Sequence, residues 1–367
     1  MYKVIDLFAG VGGLSYGFEH DHNFQIIAAN EILEPMAKAY SLNHPNVKVF
    51  NKDIAHFSKN ELINTLGKES SEIDIIVGGP PCQAYSTVGK RLIDDPRGKL
   101  FQEYYRLLKE FSPRVFVFEN VTGLLSMGGG ELLETIISQF STLGYNVQFQ
   151  VLNAADFGAP QLRKRVIIVG TQDAKKYVYP IETHTDPKSP QKLFGQNLLP
   201  HITLGEAIGD LPLLKSSFEG FEYLTEPQNY YQRLMRFEAP ELIVDHVKPK
   251  YNDNLIRIME ALPEGGSPKD LPQSIRPSSG FGNSYSRLWW NSPSTTITRN
   301  LGTPSSARCV HPLTPRALTT REGARLQGFP DNYKFYGSRS QKNLQIGNAV
   351  PTFLSKAIKD SIFEYLT

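Results

Sequence analysis

Cysteine is nearly absent from this chain: its 367 residues include two, Cys82 and Cys309. Two cysteines exclude a disulfide framework and a cysteine-rich zinc site. Long apolar runs are missing as well, and none approaches the ~20 residues that a membrane span needs. The opening MYKVIDLFAG reads as a strand and lacks the longer apolar core and cleavage site of a signal peptide. A reducing, cytoplasmic setting is therefore expected. There is no internal repeat and no low-complexity tract. Strong net charge is absent too, at +2 overall, but its distribution is uneven. Residues 1–80 carry 6 Lys/Arg against 10 Asp/Glu, whereas residues 285–343 carry 9 against 2, Glu322 and Asp331. A locally basic stretch suits a polyanion-binding face. It suits a solvated arginine-rich surface equally well.

What is present is alternation. The length suits roughly two domains. Apolar runs predict strands over Tyr2–Leu7, Gln25–Ala29, Val47–Phe50, Ile73–Val77, Val115–Glu119, Asn146–Leu152 and Arg165–Gly170. Helices are predicted between them over Leu14–His20, Pro35–Leu42, Lys59–Leu66, Leu100–Phe111 and Glu131–Leu143. Such alternation predicts an α/β fold with a doubly wound, mostly parallel sheet. Ligands of these sheets sit at the carboxyl ends of strands, where Asp6, Glu31, Asp53, Cys82 and Glu119 fall. After about residue 175 the pattern stops. Turn-rich stretches such as LPEGGSPKDLP and RPSSGFGNS predict a second, smaller, irregular domain. From about Thr352 the apolar positions regain a helical period, and this closing helix is expected to pack back on the sheet.

The first loop, DLFAGVGGLSYGFE, holds glycines at 10, 12 and 13. They permit a tight turn and close backbone approach to a ligand before a helix. The dinucleotide fingerprint needs glycine at position 15, which is Ser15, so nicotinamide cofactors are disfavoured. Glu31 at the end of the second strand is placed for both hydroxyls of a ribose. Asp53 after the third can accept from an adenine amino group. Each feature alone reads as an ordinary turn or surface acid, but together at successive strand ends they point to a nucleoside site.

Cys82 follows Pro80 and Pro81, which restrict the backbone around the thiol. A lone cysteine is more often buried and structural, but this one ends a strand beside the nucleoside site. A zinc deaminase would need a second cysteine at position 85, which is Tyr85. Glu119 closes the apolar run RVFVFENV, so partial desolvation is expected to raise its pKa and favour a proton-donor role. In QLRKRVIIVG, Arg163 and Arg165 lie two apart, on one face of an extended segment. Such a pair can hold a carboxylate and a carbonyl or phosphate together.

These residues resemble the DNA (cytosine-5)-methyltransferases, of the bacterial restriction-modification type. The resemblance runs in order through DLFAGVGG, GGPPCQAYS, DDPRGKLF, FENV, QLRKR, RALTTREGARLQGFP and QIGNAVP. It covers residues 1–170 and about 287–367. It implies the Rossmann-like fold of S-adenosylmethionine-dependent methyltransferases. A catalytic domain is expected at residues 1–178 and 337–367, and a target-recognition domain at 179–336, variable over about 180–285. Cys82 is implied as the nucleophile for C6 of cytosine, Glu119 as the acid at N3, and Arg165 as the group at O2. Arg163 belongs to the same pattern. Phe8, Gly10, Gly12, Asn30, Glu31, Ile32, Asp53, Ile54, Pro81, Leu100 and Asn348 are implied around S-adenosylmethionine, with S-adenosylhomocysteine as product and no metal. In the loop AYSTVGKRLIDDPRGK, Ser86, Thr87 and Val88 are expected to enter the duplex. Lys90, Arg91 and Arg97 are expected at phosphates. Double-stranded DNA is the implied partner, with a flipped target base, and a separate restriction endonuclease is a conceivable companion. A monomer is expected. One branch of the family modifies transfer RNA and carries Cys-Phe-Thr in the variable region, a tripeptide this chain lacks. The REGARLQGFP arginines read as either phosphate contacts or buried scaffold.

Overall fold

A computed structural model describes residues 1–81, 99–173, 175–188, 197–214, 221–278 and 282–367. Cys82, Ser86, Thr87, Val88, Lys90, Arg91 and Arg97 lie outside the described residues. The chain divides into two compact units. The first comprises Met1–Asn153, Lys164–Ile181 and Leu354–Thr367, and the second Ala154–Arg163 and Glu182–Phe353.

The strands of the first half are β1 (Tyr2–Leu7), β2 (Phe24–Asn30), β3 (Lys48–Phe50), β4 (Ile75–Gly78), β5 (Val115–Val121) and β6 (Asn146–Asn153), then β7 (Gln161–Leu162) and β8 (Lys164–Thr171). All seven strands expected from the sequence form, within two residues at each end. Seven of the eight build one sheet in the order β3-β2-β1-β4-β5-β8-β6. Neighbours from β3 to β5 are parallel, whereas β8 is antiparallel to both β5 and β6. The strand order reverses between β1 and β4. That is the topological switch point at which doubly wound sheets bind ligands.

Central strands here must be apolar on both faces. Val4, Ile5 and Leu7 of β1 and Ile75, Ile76 and Val77 of β4 are fully buried. The helices between strands are α1 (Tyr16–Glu19), α2 (Glu34–Asn43), α3 (Lys59–Leu66), α4 (Lys99–Phe111) and α5 (Glu131–Thr142). Tyr104, Leu107, Leu108 and Phe111 repeat at helical spacing on α4, and Leu132, Leu133, Ile136 and Phe140 on α5. Both sets join one core with Phe116 and Phe118 of β5. Phe140 sits 4.7 Å from Phe116 and 5.6 Å from Phe118, ring centre to ring centre. Helix α1 is shorter than the sequence suggests because the turn through Gly12, at φ 91°, delays its start. The chain's end returns to this unit as expected. Gly17 N–H donates to the Ser355 hydroxyl at 3.0 Å, Lys359 pairs with Asp21 at 2.8 Å, and Phe363 meets Phe24.

The second unit is built from short elements, and its interior is unusually charged. Of the nine basic residues in 285–343, Arg287, Arg316, Arg321 and Arg325 are buried. Helix Thr320–Leu326 starts with a reciprocal capping box between Thr319 and Glu322. Glu322 also receives both ends of the Arg316 guanidinium at 2.8 and 2.7 Å. Arg325 bonds Asp331 at 2.9 and 2.6 Å and reaches both carboxylate oxygens of Asp210. Tyr223 completes Asp331 at 2.6 Å. The basic stretch is therefore in good part scaffold, which settles the two readings of REGARLQGFP for Arg321 and Arg325. Removing one partner of a buried ion network strands the remaining charges. Arg325→Met should lower stability by roughly 3–5 kcal/mol, read as a shifted urea midpoint. An unshifted midpoint would show that the two aspartates are satisfied without the guanidinium.

Candidate active site

The residues after β1 take unusual backbone shapes. Phe8 has φ 56°, Gly10 56° and Gly12 91°. A positive φ is strained for phenylalanine and free for glycine, so the chain bends sharply as it leaves the sheet. Among the described residues, no atom lies within 4 Å of where a Cβ on Gly10 would sit, so they leave the space above this loop open. Glu31, immediately after β2, accepts from Gly10 N–H at 2.9 Å with one carboxylate oxygen. Its other oxygen accepts from Leu33 N–H at 2.7 Å. Burial pushes its carboxyl above the ordinary value, against backbone hydrogen bonds from Leu33, Gly10 and Ile32 that pull it down. Asp53, after β3, is exposed and caps the following turn by accepting from Ala55 N–H at 3.0 Å.

The other expected donor-site residues divide. Asn30 is buried and spends its amide on the carbonyls of Phe50 and Lys52, both at 3.1 Å, so it fixes the β2–β3 edge. Ile54 is buried. Ile32, 59% exposed, and Pro81 face solvent. Leu100 packs half-buried against the core of the first unit. Asn348 is exposed at the end of helix Arg339–Asn348 in the second unit. An open glycine loop with carboxylates on two adjacent strand ends fits the hydroxyls and amine of an adenosyl group.

The catalytic candidates meet across the β5–β8 ladder. Val121 lies opposite Arg165, and Glu119 opposite Ile167. Glu119 and Arg165 are therefore diagonal neighbours on one face, within reach for long side chains. Arg165 Nε lies 2.7 Å from Glu119 Oε1, each side chain 12% exposed. Gly79 makes room for the pair, since a Cβ there would lie 2.7 Å from Glu119 Oε2. On the opposite face Asn120 is buried and donates to the Pro80 carbonyl at 3.1 Å. The backbone leading to Cys82 is thus tied to β5.

Arg163 belongs to the second unit, where it is buried and donates to the Ile297 carbonyl at 2.6 Å and the Gly347 carbonyl at 2.9 Å. Of the expected arginine pair, one holds a carboxylate and the other braces backbone. Sequence reasoning missed Gly79, Asn120 and the polar group beneath the glycine loop. In that group Asp6 is buried against the Ser15 hydroxyl, which also lies 2.7 Å from the Tyr40 hydroxyl. The one available signal was Ser15 itself, standing where a fingerprint glycine was expected.

A seven-stranded doubly wound sheet with these loops at its switch point defines the Rossmann-like methyltransferase class. The profile of C-5 cytosine-specific DNA methylases matches residues 2–364, and the chain belongs to that family; it is a DNA cytosine-5-methyltransferase. It is 32% identical to the type II methyltransferase M.AgeI of Thalassovita gelatinovora, over 98% of this chain and 99% of that one. It is 33% identical to the type II methyltransferase M1.HphI of Haemophilus parahaemolyticus, over 99% and 87%. A solved E. coli structure described as a prophage-encoded DNA modification methyltransferase superposes with a TM-score of 0.77 at 24% identity, covering 100% and 99% of the two chains.

Burial raises the Asp6 carboxyl to about 7, with the Ser15 hydrogen bond opposing and the Glu31 charge adding. The folded state thus holds a proton that the unfolded chain releases near its ordinary value of 3.8. This contribution to stability is full below about pH 4 and is lost as pH rises through about 7. Its slope is at most about 1.4 kcal/mol per pH unit. Asp6→Asn, which keeps an acceptor for Ser15, should flatten that decline in denaturation midpoints from pH 4 to 7. Parallel curves for the two proteins would assign the slope elsewhere.

Proposed function

We propose that this enzyme transfers a methyl group to C5 of a cytosine flipped out of a short, specific double-stranded DNA sequence. Catalysis is assigned to residues 1–178 and 337–367 and target recognition to 179–336, the protein acting on DNA as a cytoplasmic monomer. The observation that carries the reading is the Glu119–Arg165 ion pair at the carboxyl end of β5, tied by its strand to the loop that leads into Cys82.

C5 of cytosine is a weak nucleophile. In this reading the Cys82 thiolate bonds to C6 and the ring becomes nucleophilic at C5. Charge moves toward N3 and O2, where Glu119 holds a proton on N3 and Arg165 donates to O2 while holding Glu119 in place. S-adenosylmethionine, when bound, supplies the methyl group and leaves as S-adenosylhomocysteine. Glu31 receives the ribose hydroxyls, Asp53 the adenine amine, and the Phe8–Gly12 loop lies against the remainder. Once C5 is methylated, its proton leaves to water and the C6–S bond breaks, restoring the thiolate. Arg163 acts through the backbone it braces. Flipping the base costs a few kcal/mol of stacking and pairing. Ser86, Thr87 and Val88 are assigned to the duplex, and Lys90, Arg91 and Arg97 to phosphates. The relatives' names support a role as the modification half of a type II restriction-modification system.

Bisulfite sequencing of mixed-sequence duplex DNA treated with enzyme and S-adenosylmethionine should show protected cytosines in one short recurring motif. Cys82→Ser should abolish that protection and leave S-adenosylhomocysteine binding largely intact; unchanged protection would sink the covalent mechanism. Glu119→Gln should slow single-turnover methylation by about 10²–10⁴ and weaken DNA binding far less. Equal losses in both would remove the acid role from Glu119.

A further inference from the structure

Beneath the glycine loop lies a polar group that neither the family chemistry nor the expected donor contacts use. Asp6 is the penultimate residue of β1, two residues before the strained Phe8. Its carboxylate accepts from the hydroxyl of Ser15, the residue that precedes α1. Ser15 in turn lies 2.7 Å from the hydroxyl of Tyr40 on α2. All three side chains are buried. A second link joins the same helices: His44, the residue after α2, places Nδ1 2.6 Å from Glu19 Oε2 at the end of α1. The Tyr40 and His44 rings lie 4.2 Å apart between centres, tilted by 32°. Helix α1 is four residues long, too short to hold its own position, so these two links to α2, with the Gly17–Ser355 hydrogen bond, hold it in place.

Helix α2 also sets the second wall of the site, because Leu33 N–H at its start holds one oxygen of Glu31. The other oxygen is held by Gly10 of the loop itself. A single hydroxyl on α2 therefore ties the loop that turns over the donor to the element that positions the ribose-binding acid. We infer that Tyr40 is a positioning residue for the methyl-donor site, acting through Ser15 on the glycine loop. This inference rests on the donor-site reading given above.

The test is calorimetric binding of S-adenosylhomocysteine to the full chain. Tyr40→Phe removes one hydroxyl and keeps the ring on His44. It should weaken binding about tenfold, the range of one buried hydrogen bond. In steady-state methylation it should raise the KM for S-adenosylmethionine by a similar factor, with kcat and the KM for DNA close to wild type. A folding defect would move all three together. Ser15→Ala should give a comparable loss, and the double variant should add little to either single change, since both break one chain. Tyr145→Phe is the control. It removes another buried tyrosine hydroxyl, one that donates to Pro113 O at 2.8 Å, and should leave donor binding unchanged. Wild-type affinity in Tyr40→Phe overturns the inference, as does a loss matched by Tyr145→Phe. Absence of S-adenosylhomocysteine binding in the wild-type protein overturns the donor-site reading instead.

Discussion

The antiparallel pairing of β8 against β5 is the constraint on which the candidate site depends. In a wholly parallel sheet the next strand would present its amino end at the opposite edge. Here the chain reverses, so residues entering β8 come alongside residues leaving β5. Arg165 then faces Val121, and a two-residue diagonal brings its guanidinium to Glu119. A slip of one residue would turn Arg165 to the other face of the sheet. The ion pair is thus a property of register. Register in turn is held by a ladder of seven paired residues on β5 and eight on β6, reinforced by the buried run Val166–Val169.

Two residues earlier on the same chain, an arginine does the reverse. Arg163 turns its charge onto backbone carbonyls in the second unit. Arg287 is similar, donating to the carbonyls of Leu262, His311 and Pro312. A unit made of short, irregular elements leaves many carbonyls outside any ladder, and each buried one needs a donor. Arginine supplies five N–H groups from one planar head, so it serves such an interior better than any other side chain. This explains how four of the nine basic residues in one stretch can be internal. Charge counts along a sequence report composition and do not distinguish a phosphate-facing arginine from one that replaces missing β-ladder bonds.

The sheet was legible because its signal is local: apolar runs bounded by turns specify parallel strands without reference to partners. The glycine loop, Glu31, Asp53 and Glu119 were legible for the same reason, each standing where a strand ends. What could not be read was pairing. The antiparallel sense of β8, the burial of Arg163 and the space that Gly79 leaves for Glu119 depend on residues forty or more positions apart. The tie from Asn120 to Pro80 is of the same kind. Alternation alone puts Asn120 on the face opposite Glu119, but nothing in FENV says what waits there.

Ser15 marks the limit of motif reading most clearly. As a departure from a glycine fingerprint it counts against dinucleotides, and that inference uses only what the residue is not. In the folded chain its hydroxyl contacts both the Asp6 carboxylate and the Tyr40 phenol. Glycine at this position would leave a buried carboxylate without its hydroxyl partner and cut one of the two ties between α1 and α2. A dinucleotide site uses glycine there so that helix and strand pack closely. This fold accepts a side chain at the same point and uses it to join the two helices. The substitution therefore changes what holds the loop, from close backbone packing to a buried hydrogen-bonded chain, while the loop's own glycines keep it open toward a ligand.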